Sequence, residues 1–290
     1  MPSERTQRLS TLQNGVVGAM AGGVETLVMQ PTSAIKNALQ QHHPINWSIR
    51  ALYRGVGISL VSFAPVSAMQ FALNGHLLSV FHPLESTSPA SDGVKIAAGA
   101  IAGGISSLIC SPAGLIMTLQ QNTGKSCQAT VTALIDRYGV KRLFRGLEMT
   151  MIRESIWCAC YLALGPVFTQ RLHLHVPSIF GSVDDSTLSQ RASATVVGSV
   201  LAGLVALYAT QPFDTIKTVM QGEALRVSHQ EATSPWKATA RFYHTTGRSI
   251  QPFYRGSTPR AARLIGGVFI LTEAREFLEE WVETHDILGH

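Results

Sequence analysis

Apolar positions along this chain gather into long, charge-poor runs. They cover about Gly15 to Gln30, Val56 to Val80, Ile96 to Leu119, Met149 to Phe168, Ala192 to Gln211 and Ala261 to Thr272. Each run with its flanks supplies the roughly 20 residues that an α-helix needs to cross a bilayer. Gly, Ser and single charges interrupt the runs, which suits helices with one face on lipid and another on a polar interior. A soluble protein of long buried helices is the competing reading of the pattern alone.

The connections between runs separate the two readings by charge. His42 to Arg54 holds Arg50 and Arg54 without an acid, net +2. Asn122 to Arg145 holds Lys125, Arg137, Lys141, Arg142 and Arg145 against Asp136, net +4. Gly222 to Arg255 holds Arg226, Lys237, Arg241, Arg248 and Arg255 against Glu223 and Glu231, net +3. The alternate connections hold acids, Glu85 and Asp92 in one and Asp184 and Asp185 in the other, and the C-terminal stretch adds Glu276, Glu279, Glu280, Glu283 and Asp286. This alternation is the positive-inside pattern of a membrane protein. It predicts six crossings, with both termini on the less positive side.

Composition trims the remaining classes. Charged residues are 14% of the chain, about half the usual share, and this low value with 46% hydrophobic residues excludes a disordered chain. The net charge of +5 comes without any Lys/Arg cluster interleaved with aromatics, so nucleic acid is not an expected partner. Four cysteines make no disulfide scaffold. Met1 to Thr11 shows no secretory core, so any targeting is expected to be internal.

Self-similarity is the strongest signal. GAMAGGVETLVMQPTSAIKNALQ, GAIAGGISSLICSPAGLIMTLQQ and SVLAGLVALYATQPFDTIKTVMQ align without gaps on Pro31, Pro112 and Pro212. Nine residues before each proline stands a glycine (Gly22, Gly103, Gly203), and nine after stands a glutamine (Gln40, Gln121, Gln221). Gly18, Gly99 and Ser199 complete small-xxx-small pairs that let membrane helices approach closely. An aromatic-Arg-Gly triplet opens each even run: Tyr53-Arg54-Gly55, Phe144-Arg145-Gly146 and Tyr254-Arg255-Gly256.

Over essentially the whole chain this pattern resembles the mitochondrial carrier family, whose odd helices carry Pro-x-acid-x-x-base. Pro212, Asp214 and Lys217 match that signature in full, whereas Pro31 is followed by Ser33 and Lys36, and Pro112 by Gly114 and Met117. The resemblance implies an all-α membrane fold of six transmembrane helices in three pseudo-repeated hairpins (residues 1–92, 93–189 and 190–290). Short matrix helices are expected around Ile45 to Leu52, Gln128 to Tyr138 and Pro235 to Thr246. It also implies the mitochondrial inner membrane, with both termini toward the intermembrane space.

By the same resemblance Pro31, Pro112 and Pro212 are kinks that turn a matrix gate inward. In that gate Asp214 meets Lys36, Ser33 faces Met117, Gly114 faces Lys217, and Gln40, Gln121 and Gln221 brace the ring. The family's opposite gate falls on Gly75 to Leu78, Pro166 to Thr169 and Arg275 to Leu278, without its acid–base pair. Substrate contacts fall on Ser62, on Arg153 with Glu154, and on Arg263. A guanidinium beside a carboxylate suits an anionic or zwitterionic solute. Glu25, charged inside the first run, is either a cavity residue or a member of a structural ion pair. Arg54, Gly55, Arg145, Gly146, Arg255 and Gly256 stand at helix starts that favour anions, and the resemblance makes that anion cardiolipin.

No enzyme or metal constellation is expected. Gly124-Lys125-Ser126 lacks the earlier glycine of a P-loop, and Cys158 with Cys160 lacks a second ligand pair. The expected function is transport of a small carboxylate or amino acid by alternating access. The alternative is a carrier fold retained as a transport-inactive subunit of a larger inner-membrane complex.

Overall fold

The computed structural model describes residues 11–81, 91–182, 185–226 and 234–285. Glu85, Asp184, Glu231 and Asp286 of the charge argument lie outside the described residues, as do the side chains of Glu279, Glu280 and Glu283. Every regular element among the described residues is helical. In order they are α1 (Thr11–Gln40), α2 (Ile49–Leu52), α3 (Val56–Phe81), α4 (Asp92–Thr123), α5 (Cys127–Tyr138), α6 (Leu147–His175), α7 (Pro177–Phe180), α8 (Leu188–Gly222), α9 (Pro235–Thr245) and α10 (Ser257–His285). Short 3-10 turns, Val140–Phe144 and Gln251–Tyr254, precede α6 and α10.

The six long helices form a ring. Helix α1 packs on α3, α3 on α4, α4 on α6, α6 on α8, α8 on α10, and α10 closes back on α1. Each hairpin is fastened at one repeated point, where the glycine nine before the proline meets the residue eight after the triplet glycine. Gly22 lies against the Phe63 ring and Gly203 against Leu264. At Gly103 the approach is to backbone: a Cβ there would sit 2.7 Å from the Glu154 carbonyl oxygen. Glu154 thus occupies the hairpin-packing position that Phe63 and Leu264 fill elsewhere.

Neighbouring repeats join through the triplet glycines. Gly55, Gly146 and Gly256 have φ of +81°, +84° and +80°, a backbone region that disfavours any Cβ. They rest respectively on Met117, on Gln221 with the Lys217 carbonyl, and on Gln40 with the Lys36 carbonyl. These are equivalent positions of the following repeat's odd helix, so one local turn is used three times to close the ring.

Two of the short helices match expectation within a residue, but the first is a single turn. After α1 the chain takes a positive φ of 56° at His42, and Pro44 offers no N–H. Asn46 then accepts the Ser48 N–H at 3.0 Å, and the Ser48 hydroxyl caps Ala51 at 3.3 Å, which fixes the helix start at Ile49.

The segments Ile49–Phe81, Asp92–Thr123 and Leu188–Gly222 are long and apolar enough to cross a membrane. Helices α1, α6 and α10 have the length, but Glu25, Lys36, Arg153, Glu154, Arg260 and Arg263 lower their hydropathy. Lys36 and Arg153 reach Asp214 of α8, Arg263 reaches Glu25 of α1, Glu154 pairs with its neighbour Arg153, and Arg260 bonds neutral groups of α8.

Candidate functional site: the interior charge cluster

At the short-helix end α1, α4 and α8, the helices of Pro31, Pro112 and Pro212, converge, and their polar side chains link them pairwise. Lys36 Nζ donates to Asp214 Oδ2 at 2.9 Å, joining α1 to α8. Gln40 Nε2 donates to the same oxygen at 2.9 Å and to Thr215 Oγ1 at 3.3 Å. Gln121 accepts from Asn37 Nδ2 at 2.7 Å, joining α4 to α1, and Asn122 donates to Gln41 at 2.6 Å beside it. Gln221 Nε2 reaches the Ser111 carbonyl at 3.2 Å, joining α8 to α4. Each glutamine of the repeat therefore crosses to a neighbouring odd helix, each to a different kind of partner.

Ser33 and Met117, expected to face one another, each bond elsewhere. Ser33 Oγ accepts from Arg263, and Met117 Sδ accepts from Ser59 Oγ at 3.1 Å. A hydroxyl and a thioether have little mutual attraction, so the stronger donor on each side claims them. Lys217 does stand over Gly114: a Cβ on that glycine would lie 3.0 Å from the ammonium nitrogen.

Beyond this layer lie two guanidinium–carboxylate units. Arg153 pairs with Glu154, and its Nε lies 3.6 Å from Asp214 Oδ1. Glu154 also accepts from Cys110 Sγ at 3.6 Å. Arg263 pairs with Glu25 at 3.3 Å as well as with Ser33. The Arg263 side chain keeps 31% of its exposure, about twice that of Arg153 at 16%, so water reaches the second unit more readily. Ser62 joins neither, since its hydroxyl turns back to the Ser59 carbonyl of its own helix at 3.1 Å.

Arg260 escaped the sequence reading. It donates to Thr210 Oγ1 at 2.9 Å and Gln211 Oε1 at 3.0 Å, and its guanidinium lies 5.6 Å from the Trp157 ring centroid. Gln211 in turn donates to the Arg255 carbonyl at 2.9 Å, and Gln30 to the Arg54 carbonyl at 3.2 Å. A signal was present in the repeats. Four residues after the triplet glycine the first two repeats carry small hydroxyl side chains, Ser59 and Thr150, which bond back to the carbonyls of Gly55 and Gly146, and an arginine there stands out.

Two of the triplet arginines serve helix ends. Arg145 Nε donates to the Met220 carbonyl at 2.7 Å, in the last turn of α8. Arg54 covers Gly124, the left-handed cap of α4. Cations there match the negative pole of a helix. The sequence reading placed these arginines at helix starts, whereas their guanidiniums engage the C-terminal ends of the next repeat. Burial holds the Arg145 guanidinium below its usual pKa, with nearby Arg142 acting the same way. Arg255 lines a cleft of about 510 Å³ with His42, His43, Glu223 and Arg226. Burial, then Arg255 and His43, lowers the His42 imidazole below its ordinary value. Among the described residues no group of three or more His, Cys, Asp or Glu is placed to hold a metal.

The family model described as mitochondrial carrier protein matches residues 89–174 and 189–286. Similar proteins include mitochondrial 2-oxodicarboxylate carrier 2 of Saccharomyces cerevisiae, 25% identical over 87% of this chain and 88% of its own. Mitochondrial citrate transporter B of Aspergillus niger is 25% identical over 91% and 92%. The mitochondrial glycine transporter of Xenopus laevis is 24% identical over 91% and 88%.

Proposed function

Because the chain belongs to the mitochondrial carrier family, we propose that it moves a small carboxylate or amino acid across the mitochondrial inner membrane by alternating access. The observation that carries this reading is the placement of two guanidinium–carboxylate units, Arg153–Glu154 and Arg263–Glu25, behind a bonded layer at one end of the ring. An anion leaving water for a low-dielectric interior needs fixed positive donors in exchange. A guanidinium supplies them in a planar fork that fits a carboxylate, and the paired glutamates can take an ammonium.

The basic connections support a reading with the short-helix end toward the matrix and both termini toward the intermembrane space. In this conformation Lys36–Asp214 and the three glutamines close the matrix side. Solute binding then has to offset the separation of those groups for the carrier to open inward. The N–H groups following Gly55, Gly146 and Gly256 are where cardiolipin phosphate would sit, with Arg255 beside the last.

A second reading, a carrier fold kept as a structural subunit, draws on one observation. Both arginines already have internal carboxylate partners, so each of these two pairs is neutral without a solute. Reconstitution separates the two. Purified protein in liposomes should exchange a member of a panel of 2-oxodicarboxylates, citrate and glycine, and Arg263→Ala should abolish the exchange while folded protein is recovered in normal yield. Silence across the panel, with stoichiometric co-purification of other membrane subunits, would establish the structural reading.

A further inference from the structure

Lys217 is 8% exposed, yet among the described residues it has no hydrogen bond or ion pair. Its ammonium stands over Gly114, which occupies the position that Asp214 fills in the third repeat and Ser33 in the first. The acid is missing and its counter-cation remains. Gln221 Oε1, buried without a partner, borders the same space, about 3.7 Å from where a Cβ of residue 114 would lie. It could take one ammonium hydrogen after a small rotation, but a neutral amide leaves the charge unmatched. Arg153 Nε is also buried without a hydrogen bond, and Arg153 is among the groups whose charge acts on Lys217.

Charge counting extends the point. Lys36, Arg153, Lys217 and Arg260 all act on Asp214, and Glu154 is the second acid of the cluster. Among the described residues of this cluster, four cations face two anions. An excess of two buried charges is costly in a medium of low dielectric unless a counter-ion enters.

We infer that the space beside Gly114 is a carboxylate subsite, in which one end of a dicarboxylate solute takes the place of the missing side-chain acid and bridges Lys217 and Arg153. The inference rests on the transport reading above and narrows its solute to a dianion. The second carboxylate cancels the remaining excess charge. The solute thereby completes the α4–α8 junction, which the chain leaves unfinished.

The test uses the full chain in detergent, with thermal unfolding as the readout and succinate, glutarate, inorganic phosphate and glycine as probes. Succinate or glutarate should raise the wild-type melting temperature more than phosphate or glycine does. Gly114→Asp supplies the acid from the chain itself, so the unliganded protein should melt about 2 to 4 °C higher and its response to dicarboxylate should disappear. The Lys217 ammonium is the flexible end of its side chain and can give way to the new Cβ. If Gly114→Asp does not fold, Lys217→Gln provides the second reading and should lose the dicarboxylate response without loss of unliganded stability. A full dicarboxylate response in either variant overturns the subsite, as does glycine or phosphate matching the dicarboxylates in the wild type. Liposome flux keeps the two proposals apart. Gly114-dependent binding without flux would retain the subsite and reject transport, whereas flux untouched by Gly114→Asp would retain transport and reject the subsite.

Discussion

The junction of α8 with α1 and the junction of α1 with α4 are built from corresponding positions of the repeat, yet one is ionic and the other neutral. At the first, Gln40 and Lys36 converge on a single carboxylate oxygen of Asp214. At the second, the residue matching Asp214 is Ser33, whose hydroxyl belongs to Arg263, and Gln121 bonds instead to Asn37. A carboxylate gathers several donors because each gains from its charge; a serine holds one and releases the rest to amide partners. The ionic junction therefore concentrates its stability in one residue, and the neutral junction spreads it over several modest bonds.

The largest expected effect tests that concentration. Asp214→Ala leaves Lys36 and Arg153 facing one another's charge with no anion between, and removes the acceptor of Gln40. Breaking a buried ion pair from one side costs about 3 to 5 kcal/mol. Thermal unfolding of the detergent-solubilised protein should fall by on the order of 10 °C. A fall no larger than that of Asn37→Ala would erase the distinction between the junctions.

Lys36→Met should cost less, about 1.5 to 3 kcal/mol, because Asp214 keeps Gln40 at 2.9 Å and Arg153 at 3.6 Å. The charge-swapped double variant, Lys36→Asp with Asp214→Lys, should recover part of the loss, measured as a non-zero coupling in the double-mutant cycle. Additive effects would mean that the pair contributes nothing beyond its separate members.

What the sequence disclosed follows the same division. The triplication, the prolines and the Lys36–Asp214 partnership were legible because they repeat at fixed spacing or carry opposite charge. The bonds that Ser33 and Met117 make were not legible, because a position alone does not say which neighbour offers the stronger bond. Glu154 was read with Arg153 as a cavity neighbour. Its place opposite Gly103 appears only once Phe63 and Leu264 are aligned with it in space. Arg54 and Arg145 adjoin helix starts in sequence, but their side chains are long enough to reach the ends of other helices, a distance that chain spacing does not encode. The first short helix was drawn too long because the turn chemistry of His42, Pro44 and Asn46 outweighs the helical propensity around it.

The smallest effect sharpens the comparison most. Asn37 is buried, and Asn37→Ala removes one donor from Gln121, which is only partly buried and can turn to water. The expected cost is about 1 kcal/mol. Replacing both partners, Asn37→Leu with Gln121→Leu, should be close to neutral, since no unpaired polar group remains between them. The Arg54 carbonyl loses its bond from Gln121 at 3.3 Å but keeps the one from Gln30 at 3.2 Å. The same manoeuvre at the ionic junction, Lys36→Leu with Asp214→Leu, should remain strongly destabilising, because Arg153 and Arg260 would be left without the acid that both of them face. Melting temperatures of the two double variants decide the matter. Equal losses would show that the neutral junction is as concentrated as the ionic one, and near-equality with wild type in both would show that neither charge nor amide bonding holds the ring at this end.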